Sequence, residues 1–274
     1  MRRVDLRILN RIDLADIHDP DILAAVLHCQ LGEIDGPIPV VAVATALGIG
    51  EVRQTLLDGF EGMLITDMCR SSGKILANSA KGRQRARFTI AHELGHYLLE
   101  NHVPAGTQEH GFMCSGADLD GTRHHDPQQA RQEDEANRFA IALLVPDARL
   151  GILQSNATDL GAIVSMADRL KVSLQALARR YVETHTRPVA VIHSHVGKIT
   201  AMTRHKEFPW LLPNHGDALP RLSKTASDSV AARDVQCAGR ANQNQHWIAD
   251  TSRSINEQFH TSGSGHTTTL LWLD

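Results

Sequence analysis

The sequence predicts an α+β chain in two parts. A mainly helical domain with a small β-sheet is expected over residues 1–186, and a smaller β-rich domain over 187–274. Three observations carry that division. Apolar residues recur at helical spacing through most of the first part, which closes with a helix pair at 162–184. Two short runs, MLITDMC and KILANS, interrupt the helices and are separated by Ser71, Ser72 and Gly73, as in a hairpin. After Pro188 the pattern turns to β: VAVIHS and KITAMTR are joined through HVG, and HWIAD and TTTLLWLD follow, the latter after the turn-former SGSG.

In chain order, an amphipathic helix is expected over 21–30, ended by the breaker-rich GEIDGPIP. A second helix runs over 40–47 and stops at Gly48, with another short helix over 52–57. Ala44-x-x-x-Gly48 has the spacing of a helix-turn-helix. After the hairpin, the basic segment KGRQRAR leads into a helix over 88–101, which Pro104 ends. Residues 102–127 read as a loop carrying His102, His110, His124 and His125, and a loop that long is usually functional or disordered. Helix resumes over 128–145 up to Pro146. Two more helices, 162–170 and 174–184, enclose the turn KVS.

Composition narrows the function classes. With 42% hydrophobic and 22% charged residues in 274, the chain is globular and can bury a substantial core. Its 28 basic against 31 acidic residues leave a formal charge of -3, so overall attraction to nucleic acid or anionic membrane is not expected. The most apolar run, 40–50, is too short to span a membrane, and the charged N-terminus has no apolar signal region. Cys29, Cys69, Cys114 and Cys237 are scattered without a C-x-x-C pair, which suits reduced thiols in a cytoplasmic protein. Aromatic residues, at 4%, are too few for a base-stacking platform. The 16 histidines prompt a search for metal ligands.

That search ends at Phe88-Thr-Ile-Ala-His92-Glu93-Leu-Gly-His96-Tyr-Leu-Leu, an H-E-x-x-H on a helix. Residues four apart share a helix face, so His92 and His96 can converge on one tetrahedral Zn2+. Glu93 lies ~100° round the axis from His92, beside the metal and not on it. From there it can take a proton from water held at the metal. Ile90, Ala91, Leu94, Tyr97 and Leu98 make the helix largely apolar, so burying two imidazoles and a carboxylate without a metal would be costly.

A third protein ligand must come from elsewhere. His102 stands where H-E-x-x-H-x-x-G-x-x-H places a third histidine, but Leu99 replaces the glycine, so the turn that would return His102 to the metal is not expected. The second helix, RQEDEANRFAIALLVP, is the better source. Ala136, Phe139, Ala140, Leu143 and Leu144 form its apolar stripe. With Ala136 at zero, Glu133 falls at ~60°, on the edge of that stripe, and Glu135 at about -100°, off it. Glu133 is therefore the expected ligand and Glu135, expected in solvent or on the flank, its substitute. Asn137, one turn after Glu133, is placed to hydrogen-bond a ligand imidazole.

KILANSAKGRQRARFTIAHELGHYLL together with EDEANRFAIALLVP resembles the ImmA/IrrE family of zinc metallopeptidases over roughly residues 35–185. The resemblance implies a gluzincin-like fold with His92, His96 and Glu133 holding Zn2+ and Glu93 as general base. It implies a protein substrate, a helix-turn-helix repressor whose cleavage relieves repression, in a transcription-regulating, stress-response setting. It also suggests KILANS as the edge on which an extended substrate pairs, and a sensor-like C-terminal domain that regulates the peptidase or selects its substrate and supplies no zinc ligand.

Other signals carry less. MADRLKVSLQALARRYVE has helix-turn-helix spacing with Arg179 and Arg180 in the second helix, but a packed helix pair is expected over DNA binding. Cys114 as an inhibitory metal thiolate is disfavoured against an inert thiol. His110, His124 and His125 are oxyanion-stabilising candidates expected instead at the surface. KGRQRAR is expected on a cleft rim. His193 and His195 share a strand face, which is expected to be exposed. Two alternatives to a peptidase remain: a regulator that sequesters its repressor through a four-ligand structural zinc without cleavage, and a DNA-binding regulator using 162–181.

Overall fold

The computed structural model describes residues 6, 9–67, 69–103, 111–114, 127–155, 158–220, 246–250 and 252–273. Among these, seven α-helices and two four-stranded sheets give the α+β fold. The chain forms two units, one from Met1–Asp147 with Arg169–Ser173 and the other from Ala148–Asp168 with Leu174–Asp274. No described helix is long and apolar enough to cross a membrane.

The first unit begins with α1 (Pro20–Leu31). Asp19 caps its N-terminus by accepting from the Asp21 and Ile22 amides, Pro20 presets the first turn, and Gly32 ends it at φ 67°. Leu23, Ala24, Leu27 and Leu31 are its buried face, which packs on α4 (Pro127–Leu144). The short α2 (Val40–Ala46) follows. Gly48, at φ 105°, then turns the chain into β1 (Ile49–Thr55).

Residues 52–57 are thus mostly strand, where a helix was expected, and Gly48 opens no helix-turn-helix. The reason is pairing: β1 runs parallel to β3 (Gly73–Asn78), and Glu51 bridges Arg53 at 2.9 Å and Lys74 of β3 at 3.5 Å. β2 (Gly62–Thr66) and β3 form the expected hairpin, antiparallel in register Gly62↔Ala77 to Thr66↔Gly73. A strand within the expected loop, β4 (Gly111–Cys114), adds to β2, giving the order β1-β3-β2-β4. KILANS is therefore interior to the sheet. With β1 and β2 on its two sides, β3 has no edge for a substrate, which corrects the expectation drawn from the resemblance.

The helix α3 (Arg83–Leu98) lies across β2 and β3 and against α4. It starts inside the basic segment, because Lys81 and Arg85 fold back on buried Glu61 at 2.6 and 3.5 Å and Arg87 donates to the Ile38 carbonyl at 3.0 Å. Arg85 and Arg87 are thus partly withdrawn into the protein, whereas Lys81 keeps 58% of its side chain exposed. α3 ends three residues before the expected stop.

The second unit contains α5 (Asp147–Ser155), which the sequence reading missed, then α6 (Leu160–Leu170) and α7 (Leu174–Thr184). α7 packs on β5 (Val189–His195) and β6 (Lys198–Arg204), so the division expected at 186/187 falls inside this unit. Lys171 takes the left-handed turn between the helices at φ 55°. Arg180 is buried, and the exposed Arg179 pairs with Glu183 at 2.7 Å one turn along the same helix. The sheet runs β6-β5-β8-β7, all antiparallel, with β7 (Ile255–Thr261) and β8 (His266–Leu273). HWIAD is not a strand; it makes an isolated bridge, Leu211↔Ile248.

Ala190, Ile192, Leu271, Phe208, Trp247 and Ile248 form this unit's core. Glu257 of β7 sits among them and accepts from Trp247 Nε1 at 3.3 Å, and burial pushes its carboxyl up to about 7 from an ordinary 4.5. The folded unit therefore holds a proton that the unfolded chain has released across that interval. Stability is fully present below pH 4.5 and is lost as pH rises toward 7, by up to about 3 kcal/mol. All three tryptophans (Trp210, Trp247, Trp272) lie in this unit, so urea unfolding followed by their fluorescence reports it alone. Glu257→Gln is expected to flatten the decline; an unchanged pH profile would refute this account.

Candidate metal centre

The site is built where α3 and α4 cross. Gly95 makes the crossing close, since a Cβ there would lie 3.0 Å from Phe139 Cδ1 and 3.3 Å from Ala136 Cα. One turn before Gly95 on α3 is His92, and next to it is His96. One turn before Ala136 on α4 is Glu133. Both histidines and Glu93 are wholly buried, and Glu133 is nearly so.

His92 Nε2 and His96 Nε2 are 3.1 Å apart. The Glu133 carboxylate reaches them at 3.2 Å and 3.4 Å. One ligand atom from each of the three residues lies within 4.8 Å of the others, the one such His/Cys/Asp/Glu cluster among the described residues. Two imidazole nitrogens and a carboxylate oxygen are a zinc donor set of the open, three-protein-ligand kind. Packing them in an apolar helix crossing is what a cation at their centre would compensate. The residues therefore fit Zn2+.

The three groups shift one another's protonation. Burial alone would raise the Glu133 carboxyl, but the adjoining His92 and His96 rings outweigh it and hold it well below the ordinary carboxylate range. Burial opposes charge on His92, yet Glu133 and Glu93 beside it raise its pKa overall. Burial dominates at His96 and lowers it, with the His92 charge adding to the effect.

Glu93 points to the sheet side of α3, against Gly62 of β2. A Cβ at Gly62 would collide with Glu93 Oε1 and Thr89 Cγ2, so only glycine leaves room for the carboxylate there. Nothing in the sequence marked Gly62, because the constraint arises between a strand and a helix distant in the chain.

Behind the cluster the arrangement departs from expectation in two respects. Asn137 Oδ1 accepts from His92 Nδ1 at 3.0 Å, as its spacing suggested. Glu135, however, is buried and not in solvent, and His102 does return to the site. His102 Nδ1 lies 2.9 Å from His96 Nδ1, and His102 Nε2 lies 3.1 Å from Glu135 Oε2. The return needs no glycine because Arg70 makes the turn. Its buried guanidinium donates to the carbonyls of Tyr97 (3.2 Å), Leu99 (2.7 Å) and His102, capping α3 and the chain that leaves it. Tyr97 Oη donates to the Arg70 carbonyl at 2.9 Å and so fixes Arg70, itself at φ 50°. Burial, with His96 and Arg70 adjacent, pushes His102 down to about 3, so it is neutral. The wheel placed Glu135 off the stripe correctly, but a wheel cannot know that residues 99–103 would cover that side.

His110, His124 and His125 lie outside the described residues, as does the side chain of Cys114. In the second unit His193 is buried, accepting or donating with Thr268 Oγ1 at 3.0 Å, while His195 stacks on His266 across the strands at 4.2 Å. His193 is thus not on an exposed surface, because β8 and the neighbouring elements cover it.

An H-E-x-x-H helix, completed by a carboxylate from a second helix and backed by a small sheet, defines the zincin-like class of peptidase domains. Residues 55–181 match the family model described as the IrrE N-terminal-like domain, Peptidase_M78. Among solved structures the chain is similar to a Mycobacterium tuberculosis transcriptional regulator, over 96% of this chain and 80% of that one, at a TM-score of 0.56 and 17% identity, a likeness of fold. No curated protein gives a significant sequence match.

The Gly62 contact makes a prediction. Gly62→Ala must push β2 and α3 apart or displace Glu93, costing about 1–3 kcal/mol. Gly151→Ala, on α5 with open space around it, is expected to be neutral or to gain roughly 0.5–1 kcal/mol. Chemical denaturation of both variants checks the contrast, and a Gly62→Ala protein as stable as the parent would show that the contact is not restrictive.

Proposed function

We propose that the protein is a zinc-dependent endopeptidase acting on a protein substrate, a helix-turn-helix repressor, so that cleavage relieves repression. The observation that carries the reading is the convergence of His92, His96 and Glu133 with Glu93 buried on the adjoining turn. Bound Zn2+ would supply Lewis acidity, polarising the scissile carbonyl and bringing the pKa of water to about 7. His92, His96 and Glu133 would hold it. Glu93 would accept the proton of the attacking water and deliver it to the leaving amine. Its carboxylate is confined between α3 and β2, which limits the orientations open to it.

An extended substrate would pair along β4, an outer strand of the sheet among the described residues. Its Cys114 is in register with Gly62, the residue against Glu93. Residues 187–274 would regulate the peptidase or select the substrate without supplying a zinc ligand. A structural zinc that sequesters a repressor without cleavage would need four protein ligands, and the described residues bring three together.

The test is Glu93→Gln in the full chain, assayed for bound zinc and against helix-turn-helix proteins encoded beside this gene. It is expected to keep about one zinc per chain and to lose cleavage by at least ~100-fold, the scale of general acid–base catalysis. Cleavage at the parent rate would exclude the mechanism.

A further inference from the structure

His102 and Glu135 have no part in the proposed reaction, yet both are buried within reach of it. We infer that they form a proton-locked relay, Arg131–Glu135–His102–His96, that positions His96 by fixing which of its nitrogens faces the metal. The inference rests on the functional reading above for the metal, and on hydrogen-bond logic for the rest.

Each link leaves one choice. Glu135 receives Arg131 Nε on Oε1 at 2.7 Å and Asn101 Nδ2 on Oε2 at 3.4 Å, so it is an ionised acceptor. His102 Nε2, 3.1 Å from the same Oε2, must therefore carry the proton and donate. A neutral imidazole has one N–H, so His102 Nδ1 bears a lone pair. That lone pair faces His96 Nδ1 at 2.9 Å, so His96 must carry its proton on Nδ1 and donate it to His102. With a cation at the centre, the lone pair of His96 then sits on Nε2, the atom beside His92 Nε2 and Glu133. Were His102 doubly protonated, His96 would be forced to the opposite tautomer, with an N–H aimed at the cluster. The cationic guanidinium of Arg70 against the His102 carbonyl, and burial of the ring, disfavour that charge.

The relay has a counterpart on the other ligand. Asn137 Oδ1 takes the His92 Nδ1 proton and so turns His92 Nε2 to the same centre. One helix, α4, thus supplies Glu133 to the cluster itself and Glu135 and Asn137 to the backs of the two imidazoles, directly for His92 and through His102 for His96. Carboxylate or carbonyl partners on ligand histidines are a general device for fixing the tautomer. Here the carboxylate is too far from His96 to serve, and a second histidine spans the gap.

The experiment uses the full chain, labelled with 15N at histidine and observed by long-range 1H–15N correlation, metal-free and with zinc. Zinc affinity is measured alongside by competition with a chromophoric chelator. In the parent protein His96 is expected to be protonated at Nδ1, and His102 at Nε2, in both states. Glu135→Ala and His102→Phe are each expected to weaken zinc roughly 10–100-fold and to let His96 populate both tautomers. A metal-free parent His96 that lacks its Nδ1 proton, or a parent His102 protonated at Nδ1, overturns the relay. So do variants that keep their circular dichroism and bind zinc within about twofold of the parent, well short of that range. If the parent takes up no zinc yet shows His96 protonated at Nδ1, the relay stands and the peptidase reading falls.

Discussion

The close crossing of α3 and α4 at Gly95 and Ala136 is the constraint on which the site depends. A helix pair separated by ordinary side chains stands 8–10 Å apart at its axes. With glycine on one side and alanine on the other, the two backbones approach far enough for a glutamate on one helix to reach two imidazoles on the other. The same apolar crossing that permits the approach removes water from both imidazoles and from most of the Glu133 carboxylate. Their charges then act on one another at close range, which is why Glu133 is held ionised and His92 and His96 are driven in opposite directions.

Buried polarity on this scale has to be satisfied on every side, and the first unit does so with few residues. Arg70 absorbs the carbonyls at the end of α3, where the helix has no partners of its own. Its left-handed backbone is tolerated because Tyr97, from the same helix, holds the Arg70 carbonyl in return. The chain leaving α3 is thereby bent across α4, where the Gln132 amide pairs with the Val103 backbone and Glu135 meets His102. Two faces of α4 are consequently occupied. One carries Glu133 and Asn137, and the other carries Glu135.

The second unit is organised differently. Its central strand β5 is buried along Val189–Ser194 because α7 covers one face and the Phe208, Trp247 and Ile248 group the other. A strand covered on both faces reads as a continuous apolar run, and VAVI shows that run. Helix α7 belongs with this sheet because an amphipathic helix has to bury its stripe against some partner, and β5 and β6 provide it.

The sequence by itself singled out the residues that the helix crossing brings together and much of the local structure. H-E-x-x-H is local to one helix, so spacing alone places His92 and His96 on one face and Glu93 beside it. The apolar stripe of α4 distinguished Glu133, which meets His92 and His96, from Glu135, which does not, and the i, i+4 relation put Asn137 behind His92. Turn residues and period-two runs identified the β2–β3 hairpin and the β5–β6 hairpin. What tertiary structure decided lies between segments far apart in the chain. β1 is a strand because β3 pairs with it, although its residues also suit a helix. KILANS lost its edge to that same pairing. Gly62 is required by a carboxylate 31 positions away in numbering, and Glu135 is buried by a turn that Arg70 makes. Periodicity reports which face of an element is apolar; it carries no information on which neighbour arrives to cover the remaining face, and at His102 and Glu135 that neighbour was decisive.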